Sequence, residues 1–380
     1  MLKFYSSITH GSMKGMRRKV VIFIFVIDCL TYSAHSYAQS AHTLTAAKAE
    51  ASLARLMFYN AENLFDIQDD SLTNDEEFLP AGIRYWTYRK LEQKLTHLYK
   101  TIVAVGTWQP PAIVGLCEIE NKYVLQRLVE DTPLQQLQYQ IIHYDSPDKR
   151  GIDVALLYRE PDFIPMAHEA IRIHFPHNSH KTTRDILYTK GILLQTDTVH
   201  LFINHWPSRW GGQQASAPAR NHVADVLHKK VDSLFTANSQ ANIIIMGDFN
   251  DAPEDPSLQS HLGAKLSIEE KETALYNMMG TKDTASQGIV GTHKYQGQWH
   301  MFDQIIVSGA LLQENRRLRI PGKRAQIFNA DFLLQDDLTY MGKKPFRTYT
   351  GYQYQGGFSD HLPVFIDLTT LPFPLTHKGE

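Results

Sequence analysis

The chain has 380 residues, of which 43% are hydrophobic and 21% are charged, an ordinary composition for a globular protein with a large core. Its two cysteines, Cys29 and Cys117, are too few for a disulfide-rich scaffold or for a zinc site built from thiolates. The formal net charge of −2 counts against a protein that grips nucleic acid by charge alone, because such proteins are usually basic.

The N-terminus has the pattern of a secretory signal peptide. A basic stretch at residues 17–19 precedes an apolar run at residues 20–27, and small residues lead to Ala38. An uncleaved membrane anchor is the alternative, but a bilayer takes about 20 apolar residues and this run is shorter. We therefore predict that residues 1–38 are a cleaved leader, with Met16 as the true start. The protein would be exported to the periplasm or the medium, without stable membrane insertion.

The predicted mature chain is acidic and consists of one domain. The first 38 residues carry five Lys or Arg and one Asp, which leaves a formal charge of −6 for the remainder. Residues 39–53 are rich in Ala, Ser and Thr, which indicates a flexible segment. We predict a catalytic domain at residues 54–370, and no protein partner is implied, so a monomer is expected. Cys117 lies in an apolar stretch and is expected to be a buried thiol.

Short apolar strands alternate with helices along this domain. Apolar runs bounded by Gly, Pro, Asn or Asp predict strands at Leu56–Tyr59, Ala112–Cys117, Val154–Tyr158, Gly191–Gln195, Val199–Asn204, Ile243–Met246, Phe302–Val307 and Pro363–Leu368. Apolar residues at helical spacing predict helices at Tyr88–Val105, Tyr123–Val129 and Arg220–Phe235. A turn at residues 196–198 joins two strands into a hairpin, so we expect mixed sheets rather than a simple doubly wound sheet.

Polar residues follow the ends of most predicted strands. They are Asn60, Glu118, His205, Asp248 with Asn250, Asp303, and Asp360 with His361. Strand ends that meet at one edge of a sheet are where α/β folds place their sites. Taken singly, most of these residues fit a turn, a helix start or a hydrogen-bonded histidine as well. Asp248 and Asn250 are more specific, because side chains two residues apart on a strand face the same way.

Taken together, the motifs resemble one known superfamily. The ordered set Tyr59-Asn60, Glu118, Asn204-His205, Gly247-Asp248-Phe249-Asn250, Phe302-Asp303-Gln304-Ile305 and Ser359-Asp360-His361-Leu362-Pro363 is similar to that of the endonuclease/exonuclease/phosphatase superfamily. The resemblance covers about Arg55 to Leu368. It implies an α/β fold of the deoxyribonuclease I-like type, a four-layer sandwich of two packed mixed β-sheets flanked by helices. It also implies a divalent-metal-dependent hydrolase that acts on phosphoester bonds.

The resemblance assigns metal ligands. Asn60, Glu118 and Asp360 would hold Mg²⁺ or Mn²⁺, and carboxylate and amide oxygens are the ligands such hard cations prefer. The acidic stretch from Asp66 to Glu77 offers a structural Ca²⁺ site as a further hypothesis. It lacks the glycine and spacing of an EF-hand loop, however, and fits a surface loop better.

The resemblance also assigns catalytic roles. His361 would face the scissile phosphate and be oriented by Asp303, while Asp248 and Asn250 would orient the attacking water and hold a phosphate oxygen. His205 would protonate the leaving oxygen or hydrogen-bond the phosphate. Whether Asp248 or His361 accepts the proton of the water is left open by the sequence.

Nucleic acid is the expected substrate, with phosphodiester bonds of DNA or RNA cut by in-line attack of water. The alternative is a phosphodiesterase or phosphatase that acts on phospholipid head groups or other small phosphoesters. A catalytically inactive binding protein on the same scaffold is a third hypothesis. It predicts that a carboxylate or histidine of the set has been replaced, and every one is present.

Several charged and aromatic residues have two interpretations each. Arg209 and Arg347 are candidate contacts for a substrate phosphate, although a solvated loop arginine fits equally well. A basic cluster could contact a nucleic-acid backbone or form a solvated face; its members are Arg316, Arg317, Arg319, Lys323 and Arg324. Four tryptophans could stack bases, although two or more of them fit core packing better: Trp86, Trp206, Trp210 and Trp299.

Overall fold

The computed structural model describes residues 52–370, apart from positions 177, 179, 270 and 281–288. The predicted leader and nearly all of the predicted flexible segment therefore lie outside the described residues. Within this part of the chain, no helix has both the length and the apolar character that crossing a membrane requires.

The strands have the following bounds. They are β1 (Leu53–Leu64), β2 (Ile113–Ile119), β3 (Tyr139–His143), β4 (Asp153–Arg159), β5 (Phe163–Ile171), β6 (Ile186–Leu193), β7 (Asp197–His205), β8 (Asn242–Asp248), β9 (Ala264–Lys265), β10 (Leu275–Asn277), β11 (His293–Tyr295), β12 (Gln298–His300), β13 (Asp303–Ser308), β14 (Leu318–Arg319), β15 (Gln326–Ile327), β16 (Leu334–Asp336), β17 (Lys343–Pro345), β18 (Tyr349–Thr350), β19 (Gln353–Tyr354) and β20 (Val364–Thr370).

The described α-helices are α1 (Tyr88–Gly106), α2 (Lys122–Glu130) and α3 (Gln213–Ala237). All three overlap the predicted helices. Asn121 ends the approach to α2, and its side chain accepts a hydrogen bond from Val124 N at 3.1 Å, which caps the first turn. Short helical turns lie at Glu76–Phe78, Pro133–Leu137, Ser257–His261, Gly309–Leu312, Pro321–Lys323 and Asp331–Leu333.

Two mixed sheets carry the domain. In the first, the strand order is β14-β20-β1-β2-β4-β3, with β15 also paired to β20, and β1 runs parallel to β2. In the second, the order is β5-β6-β7-β8-β13-β10-β9, and β7 runs parallel to β8. The remaining neighbours in both sheets are antiparallel, apart from β9 and β10. Mixed sheets were predicted from the hairpin, and they are confirmed.

The two sheets pack face to face and helices cover their outer faces. Leu56 and Phe58 of β1 share one buried cluster with Ile203 of β7 and Ile244 of β8. On the outer face of the first sheet, α1 and α2 bury their apolar stripes against residues such as Met57. The stripe of α3 packs on the other sheet in the same way. Burial of each large side chain contributes about 1.5–3 kcal/mol. The predicted four-layer α/β sandwich is confirmed.

All eight predicted strands are present, one of them with clearly different bounds, and twelve of the twenty strands in the described residues were not predicted. The predicted strand Gly191–Gln195 is instead β6, Ile186–Leu193, because Leu194 and Gln195 have φ near +51° and form the turn of the hairpin. The sequence pattern missed β3 and β5 altogether. Both are edge strands, and β5 is largely exposed and has an irregular register between Pro165 and Ala167. An edge strand needs no continuous apolar run, so the sequence signal for it is weak.

Candidate active site

Three neighbouring strands of the second sheet carry His205, Asp248 and Asp303. In the parallel ladder of β7 and β8, His205 pairs with Asp248, and in the antiparallel ladder of β8 and β13 the same Asp248 pairs with Asp303. Gly247 allows this close pairing, since a Cβ there would lie 2.5 Å from the carbonyl oxygen of Asn204. The register therefore places one carboxylate between a histidine and a second carboxylate.

Asn60 of β1 connects the first sheet to this ladder. Its Nδ2 donates to Asp248 Oδ2 at 3.1 Å and to Glu118 Oε1 at 3.3 Å. Its Oδ1 accepts the backbone N–H of Glu62 at 2.8 Å. The predicted metal-binding atom, Oδ1, thus already has one partner, and only its second lone pair is free for a cation. The fully buried Asn60 holds the site together across the two sheets.

The backbone of the first sheet is irregular where it reaches the site. Glu118 has φ +59°, and the ladders of β2 shift register beside it. Glu62 and Asn63 also have positive φ, and so does Asn250 at the end of β8. Residues other than glycine seldom adopt this conformation, which costs about 1–3 kcal/mol and clusters at functional sites. Asn63 N donates to Glu118 Oε2 at 2.9 Å, which fixes the turned-in carboxylate.

His361 forms a tight pair with Asp303. Its Nδ1 donates to Asp303 Oδ2 at 2.6 Å, and its Nε2 lies 3.8 Å from Asp248 Oδ2. Burial alone would lower the pKa of His361, but the charges of Asp303 and Asp248 outweigh it and raise that pKa well above its ordinary value. His361 is therefore an imidazolium with Nε2 directed toward the centre of the site.

His205 lies on the other side of Asp248 and has the opposite character. Its Nε2 is 3.7 Å from Asp248 Oδ2 and 3.9 Å from Glu118 Oε1. Burial, followed by the positive charges of Arg184 and Arg150, lowers the pKa of His205 well below its ordinary value. A neutral imidazole and an imidazolium thus face each other across one carboxylate.

Asp248 is itself perturbed. Burial raises its pKa to about 7, and the neighbouring charge of Asp303 adds to the effect, while the imidazolium of His361 opposes it. Its second oxygen, Oδ1, accepts the backbone N–H of Asn250 at 3.0 Å. The side chain of Asn250 donates to the carbonyl of Trp206 at 3.1 Å, so it also anchors the loop that follows His205.

Asp360 and Glu62 are two carboxylates that share the guanidinium of Arg347. Arg347 forms a short ion pair with Asp360 and lies 3.8 Å from Glu62, which accepts the backbone N–H of Thr348 at 2.6 Å. Burial raises the pKa of Glu62 to about 7, and the charge of Asp360 adds to this effect. For Asp360 burial acts in the same direction, but the charges of Arg347 and His361 prevail and hold its pKa below the usual range.

The charges of the site suit a divalent cation. Counted as ionised, the carboxylates of Glu62, Glu118, Asp248, Asp303 and Asp360 exceed the cations Lys94, Arg347 and His361 by two charges. The ligand atoms of His293, Asp360 and His361 lie within 4.8 Å of one another, and so do those of Asp248, Asp303 and His361. Among the described residues neither group includes Glu118, so the predicted trio of ligands stays a prediction.

The two predicted arginines are anchored by protein carboxylates. Arg209 pairs with Asp255 at 2.6 Å and with Asp251 at 3.1 Å, and its Nε donates to the carbonyl of Asn250 at 2.7 Å. Arg347 pairs with Asp360, as described above. Their contact with a substrate phosphate stays a prediction. The observed role of Arg209 is to fix the loop after His205 to the end of β8.

The remaining candidates from the sequence are the tryptophans, the basic cluster, the acidic stretch and Cys117. Trp86 and Trp206 are buried and cannot stack bases, whereas Trp210 is 91% exposed. Of the basic cluster, Arg319 pairs with Thr369 at the end of β20 that is remote from His361, and it forms an ion pair with Glu314. In the part of the chain that is described, the stretch from Asp66 to Glu77 forms none of the metal-sized groups. The predicted burial of Cys117 is confirmed.

Sequence reasoning missed Glu62, Lys94 and His293. Lys94 is buried on α1 and donates to Thr348 Oγ1 and to the carbonyl of Phe358, both at 2.6 Å. A lysine on the apolar stripe of a helix, three residues after Leu91, was a signal that could have revealed it. His293 packs on His361 with ring centroids 4.8 Å apart, and the backbones of the two residues pair. The residues are far apart in the chain, so the sequence gives no signal of this contact.

Known proteins are similar to this chain in family and in fold. Residues 55–370 match the family described as the endonuclease/exonuclease/phosphatase family. No curated protein matches the sequence significantly. Among solved structures, a family protein of Bacteroides thetaiotaomicron has a TM-score of 0.53 at 15% identity, covering 87% of this chain and 99% of that chain. A humanised TDP2 of D. rerio also scores 0.53, at 14% identity and with 84% and 99% covered.

A third similar structure is a mannosyl-6-phosphatase of Bacteroides thetaiotaomicron, with a TM-score of 0.51 and 16% identity, covering 83% of this chain and 99% of that chain. These likenesses concern the fold. The family match spans nearly all of the described residues and includes every strand-end motif. The chain belongs to the endonuclease/exonuclease/phosphatase family, whose members are phosphoester hydrolases.

Proposed function

We propose that this hydrolase is an exported phosphodiesterase that depends on a divalent cation and cuts nucleic acid. The observation that carries the proposal is the position of the buried Asp248 between a cationic His361 and a neutral His205, which are buried as well. Hydrolysis of a phosphodiester requires a base for water, a positive group for the phosphate and a donor near the leaving oxygen.

The proposed division of roles follows from the protonation states. Asp248, with its pKa raised to about 7 by burial, takes the proton of the attacking water, because a base works best near the ambient pH. His361 is a poor base, since its pair with Asp303 keeps it protonated, and it donates from Nε2 to a phosphate oxygen. His205 is neutral, so it donates a hydrogen bond to the phosphate or the leaving oxygen, and the leaving oxygen takes its proton from solvent water.

Glu118 and Asp360, with Asn60, would hold the cation, which we propose to be Mg²⁺ or Mn²⁺. When bound, such an ion neutralises phosphate charge and polarises the P–O bonds. The positive charge it brings would also compensate for the acidic character of the chain where a polyanion binds. Export is proposed from the basic and apolar pattern of residues 17–38.

One assay tests the substrate and the cofactor together. The purified protein is given plasmid DNA, RNA, sphingomyelin and bis(4-nitrophenyl) phosphate, each with Mg²⁺, Mn²⁺ or EDTA. We expect cleavage of DNA or RNA with either metal and none in EDTA. Cleavage that persists in EDTA would remove the metal from the mechanism, and cleavage of sphingomyelin without nucleic acid would reject the substrate.

A phosphatase or phosphodiesterase for small phosphoesters is the second candidate. An open basic cavity beside the site, about 560 Å³ in volume, has room for a single sugar phosphate as well. The mannosyl-6-phosphatase shares the fold, but its 16% identity carries no argument about substrate. Including mannose 6-phosphate in the same assay separates the two candidates.

A further inference from the structure

A basic cavity adjoins the site on the His205 side. Arg184 lines it and donates from Nε to the carbonyl of His205 at 3.1 Å and from Nη2 to that of Trp206 at 2.5 Å. Pro207 and Ser208, which follow in the chain, line it as well. None of the catalytic side chains belongs to the lining. The cavity, called the basic pocket from here on, is therefore a neighbour of the site and not the site itself.

The basic pocket has more positive charge than the protein neutralises. Arg150, Lys181 and Arg184 line it, and Asp148 pairs with both arginines, at 3.5 Å and 3.0 Å. Among the described residues, no carboxylate lies within ion-pair distance of Lys181, whose Nζ lies 4.8 Å from the ring centroid of Phe175. This excess of positive charge stands out in a chain with a net charge of −2. It suits an anionic group.

Two hydroxyl groups in the lining lack partners. Thr183 is 3% exposed, yet in the described part of the chain its Oγ1 has no hydrogen-bond partner, and neither does the Oγ1 of Thr182. Buried polar atoms are nearly always paired, because leaving one unpaired costs about 1–3 kcal/mol. Both oxygen atoms lie beneath the surface of the cavity, so a rotation of either threonine side chain would bring its hydroxyl to an anionic ligand there.

An aromatic face completes the lining. Trp210 lines the pocket and is 91% exposed, so its ring is accessible to a ligand. Arg209, next to it, is fixed by Asp251 and Asp255, so the backbone that presents Trp210 is anchored to the end of β8. An exposed ring beside a phosphate-binding wall is the arrangement with which proteins hold a nucleotide in a single strand.

We propose that the basic pocket binds the nucleotide next to the scissile phosphodiester, with its phosphate against Lys181 and Thr183 and its base on Trp210. This inference rests on the proposed function and extends it to the recognition of single-stranded substrate. The volume of about 560 Å³ lies in the range of about 300–1,000 Å³ that small-ligand sites occupy.

The test compares pocket variants with matched surface controls. Binding of a fluorescein-labelled eight-nucleotide thymidine strand is measured in EDTA by anisotropy, so that no cleavage intervenes. We expect Lys181→Ala and Trp210→Ala each to raise Kd at least about five-fold. The controls are Lys100→Ala on α1 and Trp108→Ala just after that helix, both exposed and outside the pocket lining, and they should leave Kd unchanged. Pocket variants that bind like the wild type would overturn the proposal.

A third variant separates ligand binding from folding. Thr183→Val keeps the side-chain volume and removes only the unpaired hydroxyl, so we expect a higher Kd with no loss of thermal stability. A lower Tm with unchanged Kd would make the hydroxyl structural and would contradict the phosphate contact.

Failure of the proposed function can be distinguished from failure of the pocket proposal. If the wild type hydrolyses bis(4-nitrophenyl) phosphate but cuts no nucleic acid, the proposed function fails. Strand binding that still depends on Lys181 and Trp210 would then support the pocket alone. Inhibition of bis(4-nitrophenyl) phosphate hydrolysis by mannose 6-phosphate, with no strand binding, would overturn both and make the pocket a sugar-phosphate site.

Discussion

The surroundings of His361 and His205 give two identical side chains different chemistry. Asp303 is fully buried, and its carboxylate is the partner that keeps His361 charged. Among the described residues no carboxylate lies within hydrogen-bond distance of His205, and burial together with the nearby charges of Arg184 and Arg150 disfavours its protonation. The same residue type therefore supplies a cation on one side of Asp248 and a neutral donor on the other.

Asp303→Asn keeps the size of the side chain and removes its charge. We expect turnover of bis(4-nitrophenyl) phosphate to fall about 100-fold, the scale of a lost acid–base partner. The pKa of His361 should also fall, because the largest charge that raises it is gone. The imidazolium would then be lost at lower pH, so the alkaline limb of the pH–rate profile should move down. Asp336→Asn, on an exposed carboxylate, is the matched control, and turnover of Asp303→Asn within a few-fold of it would refute the role.

Glu120, two residues after Glu118, makes the stability of the fold depend on pH. Burial raises its pKa to about 8, while its Oε2 accepts the backbone N–H of Asp66 at 2.6 Å. The folded state therefore binds a proton more tightly than the unfolded state. This contribution is present at low pH and is lost as the pH rises from about 4.5 toward about 8. We expect Glu120→Gln to gain stability relative to the wild type at pH 8 but not at pH 4.5, by about 1 kcal/mol or more. Urea unfolding in EDTA measures it, and an equal difference at both pH values would contradict it.

At the scale of elements, helix α1 supports the loop that carries Arg347 and Asp360. Lys94 reaches from the helix to Thr348 and to the carbonyl of Phe358, and it faces the carboxylate of Glu62. Burial lowers the pKa of Lys94 to about 8, and the charges of Glu62 and Asp360 oppose this. Lys94 thus connects the outer helix α1 to the loop before β20, which carries Arg347 and Asp360.

Lys94→Met keeps the length of the side chain and removes its donor. We expect the free energy of unfolding to fall by about 1–3 kcal/mol, because two acceptors and a carboxylate lose a buried partner. Lys100→Met on the exposed face of the same helix is the control and should change little. The measurement is urea denaturation at pH 7. Equal stabilities of the two variants would show that Lys94 does not fasten the helix.

At the scale of the whole molecule, the site lies at the interface between the two sheets. Asn60 and Glu118 come from the first sheet, and His205, Asp248 and Asp303 come from the second. The hydrogen bond from Asn60 to Asp248 links the two sheets at the site. A cation bound to the acidic group would relieve repulsion among groups that folding forces together, so ion binding and global stability should be linked.

Mg²⁺ should therefore raise the Tm of the protein relative to EDTA. At about 100 times Kd, the linkage predicts about 2.7 kcal/mol of added stability. We expect Glu118→Gln to lose most of this increment, whereas Glu130→Gln, on an exposed residue at the end of α2, should keep it. Differential scanning calorimetry gives the comparison. An unchanged increment in Glu118→Gln would exclude that residue as a ligand.

The sequence alone determined the order of the main buried strands, the family and the polar residues at the strand ends. Apolar runs and their boundaries are local properties, so they are readable without any partner. The edge strands β3 and β5 were not readable, because a half-exposed strand owes its existence to the neighbour that pairs with it.

Only the tertiary structure decided how the site is charged. The opposite protonation of His205 and His361, the burial of Glu62 and Lys94 and the pairing of Arg347 with Asp360 depend on residues far apart in the chain. A pKa depends on desolvation and on nearby charges, and neither exists until the sheets have packed. The sequence therefore named most of the residues of the site, while packing determined the chemistry each of them can perform.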